Sequence, residues 1–356
     1  MDVRAFGAID CDVHPSVPST RALLPYLDAH WREVFRVRGI DTQDFESACY
    51  PAAAPLSGRP DWRGEGPPGA DFDLFRREAL DRFGSRIAIC NVIHGAQALF
   101  NADIAAAFCK AINDWLAAEW LDRDPRLRAS IVVPWQDPAL AVAEIERRAV
   151  DPRFVQVLVL AMGETPPGRR HHWPIYEAAA HHGLPLGIHA GSAYRHAPTP
   201  GGWPASYLGD YIAFGNGFES ALLSLIAEGV FAHIPELRVV LLESGVSWLP
   251  GFLWRTDKTW RGVRSEIPWV KDPPSDYVRR HVRLTAQPLD VPDDPAVLAV
   301  LAEQIDAGTL LLFATDFPHW QFDGDNVLPP LLAAEPFASR VLVENALATY
   351  PRLSLS

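Results

Sequence analysis

The sequence predicts an α/β protein of the (β/α)8 TIM-barrel class, with long insertions in the loops that follow its strands. Three observations lead to this prediction. Eight short apolar runs lie along the chain, each is followed by a segment with helical spacing or by a long loop and then such a segment, and the length of 356 residues suits one barrel with insertions. Strands that alternate with helices form parallel β–α–β units, and eight such units suggest a closed barrel.

The eight predicted strands are short apolar runs, several of which end in a His, Asp or Glu residue. Near-continuous apolar runs are typical of parallel strands that are covered on both faces. In chain order the predicted strands are Ala5–His14, Arg86–His94, Arg128–Pro134, Phe154–Ala161, Leu184–His189, Leu237–Glu243, Val282–Pro288 and Thr309–Asp316.

The intervals between these runs contain amphipathic helices. In the clearest of them, Ile104, Phe108, Ile112 and Trp115 recur at the spacing that places side chains near one helix face. The predicted helices are Asn101–Leu121, Pro138–Val150 and Gly217–Glu228.

Three intervals are too long for a simple barrel. Residues 15–85 hold a predicted helix, Thr20–Val37, and a Pro/Gly-rich segment, Pro51–Ala70, which is expected to be a flexible flap or surface loop. Residues 190–216 and 244–280 follow the fifth and sixth predicted strands, and the second of these intervals holds four Trp residues. We expect a single domain, residues 1–356, in which these loops cover a pocket at the active-site face.

The composition favours a soluble protein that acts on a small-molecule substrate. A formal net charge of −12 argues against nucleic acid or an acidic membrane surface as a partner, because both attract basic proteins. The four Cys residues include no CxxC pair and are predicted to be reduced and buried. The chain shows neither the apolar core of a signal peptide nor an apolar run near the ~18 residues of a membrane span. A cytoplasmic location is therefore expected.

Four residues at the ends of predicted strands are candidate metal ligands. Asp12 and His14 end the first strand two positions apart, so that both side chains point to the same side. His189 ends the fifth strand and Asp316 the eighth. Two carboxylates and two imidazoles would neutralise one divalent ion and suit zinc or manganese, of which zinc is the first expectation. The alternative is four unrelated groups: an N-cap, two core histidines and an ion-paired aspartate.

Small residues lie beneath two of these candidate ligands. By strand parity Gly187 precedes His189 and Ala314 precedes Asp316, and both would leave room for an ion. Asp10 shares the parity of Asp12 and would lie one layer deeper. The sequence suggests no role for it.

Two further residues are candidate catalytic groups. Glu243 ends the sixth strand, where burial would raise its pKa and make it a general base or a group that orients metal-bound water. A salt bridge to Arg195 or Arg255 is the alternative role. His319 lies three residues after Asp316 and either faces the pocket or packs within its loop.

Three residues on the predicted rim are candidate substrate-binding groups. His94 ends the second strand, Arg195 lies in the loop after the fifth, and Trp248 lies in the loop after the sixth. The Trp-rich segment that contains Trp248 could instead form a dimer surface or serve structural packing.

Seven short motifs occur in order along almost the whole chain: IDCDVH, NDW, DPRL, GIHAG, ESGVSWLP, ATDFPHW and ENA. In these motifs the sequence resembles the amidohydrolase-related (amidohydrolase 2) family of the amidohydrolase superfamily, which includes aminocarboxymuconate-semialdehyde decarboxylase. The resemblance implies a (β/α)8 barrel, a single divalent metal that is often zinc or manganese, and a homodimer. It places the metal on His14, His189 and Asp316, and on Asp12, where members of the family have His, Glu or Asp.

The chain departs from the well-known decarboxylases of this family on the sixth strand. They have a His there as acid and base, whereas this chain has Glu243. The carboxylated Lys of binuclear members has no counterpart in FVQVLVLA on the fourth strand, which supports one metal ion.

Two reactions fit one metal ion in such a barrel. In hydrolysis, metal-bound water attacks a carbonyl or related centre, and Asp316 or Glu243 accepts the proton. In non-oxidative decarboxylation of a small aromatic or enol carboxylic acid, the metal chelates the substrate and a proton replaces the carboxylate. Glu243 would repel a substrate carboxylate unless Arg195 or Arg255 intervenes, so hydrolysis is the main prediction and decarboxylation the alternative. A metal-free scaffold or binding protein is a remote third interpretation.

Overall fold

Eight parallel strands form one sheet in the order β1 to β8, and the computed structural model thereby confirms the predicted TIM barrel. The structure describes residues 3–45, 50–192, 197, 199, 201–292, 294–322 and 328–354. The strands are β1 Ile9–Val13, β2 Ile87–Cys90, β3 Leu127–Val132, β4 Phe154–Met162, β5 Leu186–Ser192, β6 Val239–Leu242, β7 Val282–Thr285 and β8 Leu311–Leu312.

The barrel closes between β1 and the chain after β8 through hydrogen bonds outside the regular ladders. The Cys11 amide donates to the Phe313 carbonyl at 2.9 Å, and the His14 amide donates to the Phe317 carbonyl at 2.7 Å. These contacts draw the segment after β8 along β1 toward the carboxyl-terminal ends of the strands.

The eighth strand is shorter than the predicted Thr309–Asp316. Residues Ala307–Leu310 are helical, and only Leu311–Leu312 pair with β7. Asp306 begins this short helix with a positive φ of 52°. The apolar composition of the run reflects its burial, which a helical turn and a strand share.

Helices connect the strands, and several begin at the caps that the sequence offers. The Asp137 side chain accepts hydrogen bonds from the amides of Ala139 and Leu140, and Asn101 accepts one from Ile104. The α-helices are α1 Ala29–Val37, α2 Phe72–Phe75, α3 Ala102–Leu116, α4 Pro138–Arg148, α5 Trp173–His181, α6 Tyr207–Ala227, α7 Val230–His233, α8 Leu249–Val263, α9 Pro274–His281, α10 Pro295–Gln304, α11 Ala307–Leu310, α12 Phe337–Ser339 and α13 Asn345–Thr349. Within the described ranges, none of these helices combines the length and apolar character that a membrane span needs.

The predicted helix Thr20–Val37 consists of two elements. A 3-10 helix covers Thr20–Tyr26, and α1 begins after Asp28, whose side chain accepts a hydrogen bond from the Trp31 amide at 2.9 Å. Pro25 lies in the first element and cannot donate the backbone hydrogen bond that a continuous α-helix needs. The N-cap at Asp28 then starts a new helix.

The Pro/Gly-rich segment Pro51–Ala70 packs against the barrel, which differs from the predicted flap or surface loop. Two short 3-10 helices, Pro55–Ser57 and Pro60–Trp62, bring the Trp62 ring into the core, where it is 0% exposed. The Arg59 guanidinium lies over this ring, 4.2 Å from its centroid. A large buried aromatic side chain therefore anchors the segment.

Gly69 joins this segment to the chain that follows β1. Its φ is +83°, and a Cβ atom here would lie 2.3 Å from the His14 carbonyl oxygen. The Ser16 amide donates to the Gly69 carbonyl at 3.0 Å. Only glycine combines this backbone conformation with so close an approach.

The Trp-rich segment 244–280 forms α8 and α9. Trp260 is buried and Trp248 is half-buried, whereas Trp254 and Trp269 are 61% and 39% exposed. The four indoles therefore do not form one wall, and at least one of them serves core packing.

Candidate metal centre and active site

The carboxyl-terminal ends of β1 and β5 and the chain after β8 bring the four predicted ligands together. His14 Nε2 lies 3.1 Å from Asp12 Oδ1 and 3.1 Å from Asp316 Oδ1. Ligand atoms of Asp12, His14 and His189 lie within 4.8 Å of one another. All four residues are at most 3% exposed. Groups at these separations can share one ion at bond lengths of about 2 Å.

Backbone carbonyls orient the two imidazoles. His14 Nδ1 donates to the Asn91 carbonyl at 2.8 Å, and His189 Nδ1 donates to the Ala190 carbonyl at 2.7 Å. A ring nitrogen that faces a carbonyl carries the hydrogen, so Nε2 of each ring presents its lone pair. This is the usual arrangement of a metal-binding histidine.

Four buried atoms at this point have no hydrogen-bond partner among the described residues: Asp12 Oδ2, His14 Nε2, His189 Nε2 and Asp316 Oδ2. Buried polar atoms normally have partners, because an unpaired one costs desolvation free energy. A divalent ion would satisfy all four atoms and balance the two carboxylates. The donor set therefore fits a metal ion, with one free atom from each predicted ligand.

The negative charge of the site acts on His14. Burial lowers the pKa of this imidazole, but the charge of Asp12 and the close carboxylate oxygens of Asp12 and Asp316, each 3.1 Å from Nε2, outweigh burial and raise the pKa to about 10. A proton and a metal ion compete for the same nitrogen, because ligation requires the neutral ring.

Glu243 follows β6 with a φ of 56°, in the left-handed region that non-glycine residues seldom adopt. Its Oε1 lies 2.6 Å from His319 Nδ1, and its Oε2 accepts a hydrogen bond from the Tyr50 hydroxyl at 2.6 Å. Burial raises the pKa of Glu243, but the charges of His189 and His319 outweigh burial and hold that pKa well below its ordinary value. The expectation of a raised pKa is wrong. Arg255 is exposed on α8, and among the described residues histidines are the charged partners of Glu243.

His319 is shared between two carboxylates. Besides Glu243, its Nδ1 contacts Asp316 Oδ1 at 2.7 Å, and its amide donates to the Asp316 carbonyl at 2.7 Å. Burial raises the pKa of Asp316 well above its ordinary value, and the charge of Glu243 raises it further. The Tyr50 ring stacks on the His319 ring with centroids 3.6 Å apart. The imidazole is thus fixed in both orientation and position.

A cavity of about 110 Å³ adjoins these residues. Its wall combines the two site histidines with residues from the end of β2 and from the long β1–β2 connection. Among the residues that line it are His14, His319, His94, Tyr50, Pro67 and Pro68.

Of the three predicted substrate-binding residues, the structure places one, His94, at the cavity. His94 lines the cavity, its Nδ1 accepts a hydrogen bond from the Ala96 amide at 3.1 Å, and burial lowers its pKa to about 4. Trp248 is not among the described residues that line the cavity; its indole donates to the Ser244 carbonyl at 2.9 Å. Arg195 lies outside the described residues.

The structure shows what occupies the space beside Gly187 and what the Asp10 side chain contacts. The space beside Gly187 is not left for an ion, because a Cβ atom there would lie 2.4 Å from Gln156 Nε2. Asp10 accepts hydrogen bonds from the Thr315 amide at 3.0 Å and the Thr315 hydroxyl at 2.6 Å. This buried carboxylate therefore ties β1 to the residue that precedes Asp316.

Sequence reasoning missed Asn91 and Tyr50. Asn91 directly follows the buried strand β2 and contacts both ligands of β1, and a polar residue that ends an apolar run was the available signal. Tyr50 comes from the long connection after β1 and reaches Glu243, 193 residues away in sequence. No local pattern marks such a contact.

Proteins similar to this chain include several decarboxylases. A γ-resorcylate decarboxylase from Polaromonas sp. (strain JS666 / ATCC BAA-500) is 26% identical over 267 residues, which are 71% of this chain and 79% of that relative. The structure of 2,6-dihydroxybenzoate decarboxylase with 2,6-dihydroxybenzoate has a TM-score of 0.68 and 20% identity, covering 97% of this chain and 99% of that one. A dihydroxybenzoic acid decarboxylase from Polaromonas sp. JS666, with bound manganese and the inhibitor 2-nitroresorcinol, has a TM-score of 0.68 and 21% identity, covering 97% of each chain.

The prediction of hydrolysis as the main reaction is wrong, because the similar proteins are decarboxylases. That prediction treated Glu243 as a free carboxylate that would repel the carboxylate of a substrate. In the structure, Glu243 is not free, because His319 and Tyr50 contact its two carboxylate oxygens. The relatives are enzymes, which also argues against a metal-free scaffold.

The match to a known family covers nearly the whole chain. A family model described as Amidohydrolase matches residues 9–352, which include all eight strands and the four candidate ligands. The resemblance inferred from the motifs is confirmed: this chain belongs to the amidohydrolase family.

Proposed function

We propose that this protein is a metal-dependent, non-oxidative decarboxylase of a small hydroxylated aromatic acid. One observation carries the proposal: a candidate proton donor, His319, and a candidate metal ligand, His14, line the same small cavity. The decarboxylase relative that aligns with 71% of this chain supports the choice of reaction. In that reaction the bond between ring carbon and carboxylate breaks, its electron pair stays on the carbon, one proton is added there and carbon dioxide leaves.

We propose that Asp12, His14, His189 and Asp316 hold one divalent ion. When bound, the ion would draw electron density from the substrate carboxylate and a neighbouring hydroxyl oxygen. Manganese is our first choice and zinc the second, which reverses the order expected from the sequence. Two of the four ligands are carboxylates, which suit manganese, and a related structure contains manganese.

His319 is the residue that we assign to proton delivery. Its Nδ1 is held at 2.6 Å by Glu243 and at 2.7 Å by Asp316. Because Nδ1 is engaged, Nε2 is the nitrogen that can pass a proton to the ring carbon as carbon dioxide leaves.

Glu243 and Tyr50 hold this donor in place. The Tyr50 hydroxyl donates to Glu243 Oε2 at 2.6 Å while its ring stacks on His319. When the proton donor is already fixed, less conformational entropy is lost in aligning it with the substrate. We therefore propose that Glu243 acts by orienting the His319 imidazole.

The cavity limits the size of the substrate. At about 110 Å³ it is of the same order as the ~150 Å³ protein cavity that holds one benzene molecule. Tyr50 and the two prolines, Pro67 and Pro68, contribute aromatic and aliphatic surface to its wall. The space therefore favours a substrate with no more than one ring, and His94 is available as a polar contact for a substituent.

A panel of hydroxybenzoates tests the proposed function. The protein is loaded with Mn²⁺ or Zn²⁺, and carbon dioxide release and phenol formation are measured in D₂O. We expect equimolar release of both products and one deuterium on the ring carbon that lost the carboxylate. Conversion of ester or amide analogues without carbon dioxide release, or no release from any hydroxybenzoate with metal bound, would contradict the proposal.

We also propose a homodimer that acts in the cytoplasm. Helix α6 exposes Leu208, Ile212 and Leu223 by 72%, 65% and 45%, and their spacing places them on one side of the helix. Cys11, Cys90 and Cys109 are buried and unpaired, as in proteins of reducing compartments.

Light scattering after size exclusion tests the dimer. We expect twice the mass of the chain for the natural protein and a shift toward one chain mass for Ile212→Glu, because a charge would be buried in the contact. Val297→Glu on α10, at a position that is 49% exposed and lies on another helix, controls for charge substitution as such. A natural protein that stays monomeric at micromolar concentration would contradict this proposal.

A further inference from the structure

Asn91 contacts both ligands that β1 contributes. Its Nδ2 donates to Asp12 Oδ1 at 2.8 Å, and its backbone carbonyl accepts from His14 Nδ1 at 2.8 Å. Both contacts leave one atom of each ligand without a hydrogen-bond partner: Asp12 Oδ2 and His14 Nε2 remain unpaired. One residue thus orients two ligands.

The hydrogen bond to Asp12 forms only if the Asn91 amide turns its Nδ2 toward the carboxylate. A turned amide would place Oδ1 against the carboxylate and replace a hydrogen bond by repulsion. The carboxylate of Asp12 only accepts, so it requires Nδ2 on its side and leaves Oδ1 on the other. There the Ser130 hydroxyl lies 2.5 Å from Asn91 Oδ1 and Gln156 Nε2 lies 3.2 Å from it, and both donate to it. These neighbours on β3 and β4 stabilise that orientation.

Gln156 follows the orientation of Asn91, because its Nε2 donates to Asn91 Oδ1 and to Ser130 Oγ, the latter at 2.9 Å. The Tyr350 hydroxyl, just after α13, donates to the remaining amide atom, Gln156 Oε1, at 3.1 Å. The hydrogens point in one direction along the whole chain of contacts, from Tyr350 to Asp12. The four residues in this series of hydrogen bonds are all 0% exposed: Asn91, Ser130, Gln156 and Tyr350.

We propose that Asn91 is a positioning residue of the metal centre and that Ser130, Gln156 and Tyr350 hold its amide in place. Metal affinity then depends on a hydroxyl at the far end of a four-residue hydrogen-bond relay. The inference rests on the proposed metal site. A purely structural role for the relay predicts lower stability but an unchanged dissociation constant for each folded molecule.

Asn91→Leu tests the positioning role, because leucine has a similar volume and no donor. The dissociation constant for Mn²⁺ is measured by competition with a chelator, and the Mn²⁺ electron paramagnetic resonance spectrum reports ligand symmetry. We expect affinity to fall roughly 10- to 100-fold, as when other partners of metal ligands are removed. We also expect an altered spectrum.

Asn113→Leu is the matched control. Asn113 is also a 0% exposed asparagine, but its side chain bonds the Val132 carbonyl at 2.9 Å and Glu144 at 2.6 Å, away from the ligands. We expect a lower melting temperature and a dissociation constant within about twofold of the natural protein. An equal loss of affinity in both variants would overturn the proposal, because general destabilisation would then explain it.

Tyr350→Phe and Ser130→Ala extend the test should Asn91→Leu not fold. Each removes one hydroxyl of the relay and leaves the ligands and Asn91 in place. We expect weaker Mn²⁺ binding in both, by less than for Asn91→Leu. Unchanged affinity in every folded relay variant would overturn the inference. A natural protein that retains no Mn²⁺ would instead overturn the proposed metal site, and this inference with it.

Discussion

Asp316→Asn is expected to remove the metal ion and abolish carbon dioxide release together. The amide keeps the size of the side chain but loses the negative charge that balances the ion, and its nitrogen is a poor ligand. Because a bound metal supplies several kcal/mol of charge stabilisation, we expect the rate to fall by at least about 10³-fold. Metal content is measured by elemental analysis after dialysis, and activity by carbon dioxide release.

Asp124→Asn is the control for this prediction. Asp124 is a buried aspartate at the opposite end of the barrel, 6% exposed, and pairs with Arg126 at 2.6 Å. Its replacement should lower stability and leave metal content unchanged. Full activity or a full complement of metal in Asp316→Asn would contradict the ligand assignment.

His319→Asn is expected to retain the metal ion and lose most of the activity. The asparagine amide can still donate to Glu243 and Asp316 from the position of Nδ1, but it has no nitrogen that exchanges a proton in place of Nε2. Loss of a general acid typically costs about 10²- to 10⁴-fold in rate. We expect this loss in kcat, with metal content equal to that of the natural protein.

His281→Asn provides the comparison. His281 is a buried histidine at the amino-terminal end of β7 and contacts the Leu237 carbonyl at 3.0 Å. This variant should keep its rate. A His319→Asn variant that loses metal instead of rate would assign His319 to ligation.

The sequence alone could predict the barrel and the meeting of the candidate ligands at one end of it. Alternation along a strand places Asp12 and His14 on one side without knowledge of any other element. Parallel strands then bring His189 and Asp316 to the same end of the barrel. These predictions need only local periodicity and one rule of topology.

The partner of Glu243 could not be predicted in the same way. Sequence reasoning offered Arg195 or Arg255 as the alternative partner for this carboxylate, whereas His319 contacts it from a loop 76 residues further along the chain. Tyr50 reaches the same carboxylate from a connection whose path depends on the burial of Trp62. Such contacts arise from tertiary packing and leave no local pattern in the sequence. The predicted reaction depended on the surroundings of Glu243 and was wrong, whereas the predicted fold depended on local periodicity and was confirmed.

The origin of the cavity wall has an evolutionary consequence. The candidate ligands and proton donor come from the carboxyl ends of strands, whereas Tyr50, Pro67 and Pro68 belong to the connection between β1 and β2. Selectivity can therefore diverge by changes in one continuous stretch of chain while the reaction chemistry stays intact. Grafting that stretch from a relative would transplant ring preference, provided that the glycine against the His14 carbonyl is kept.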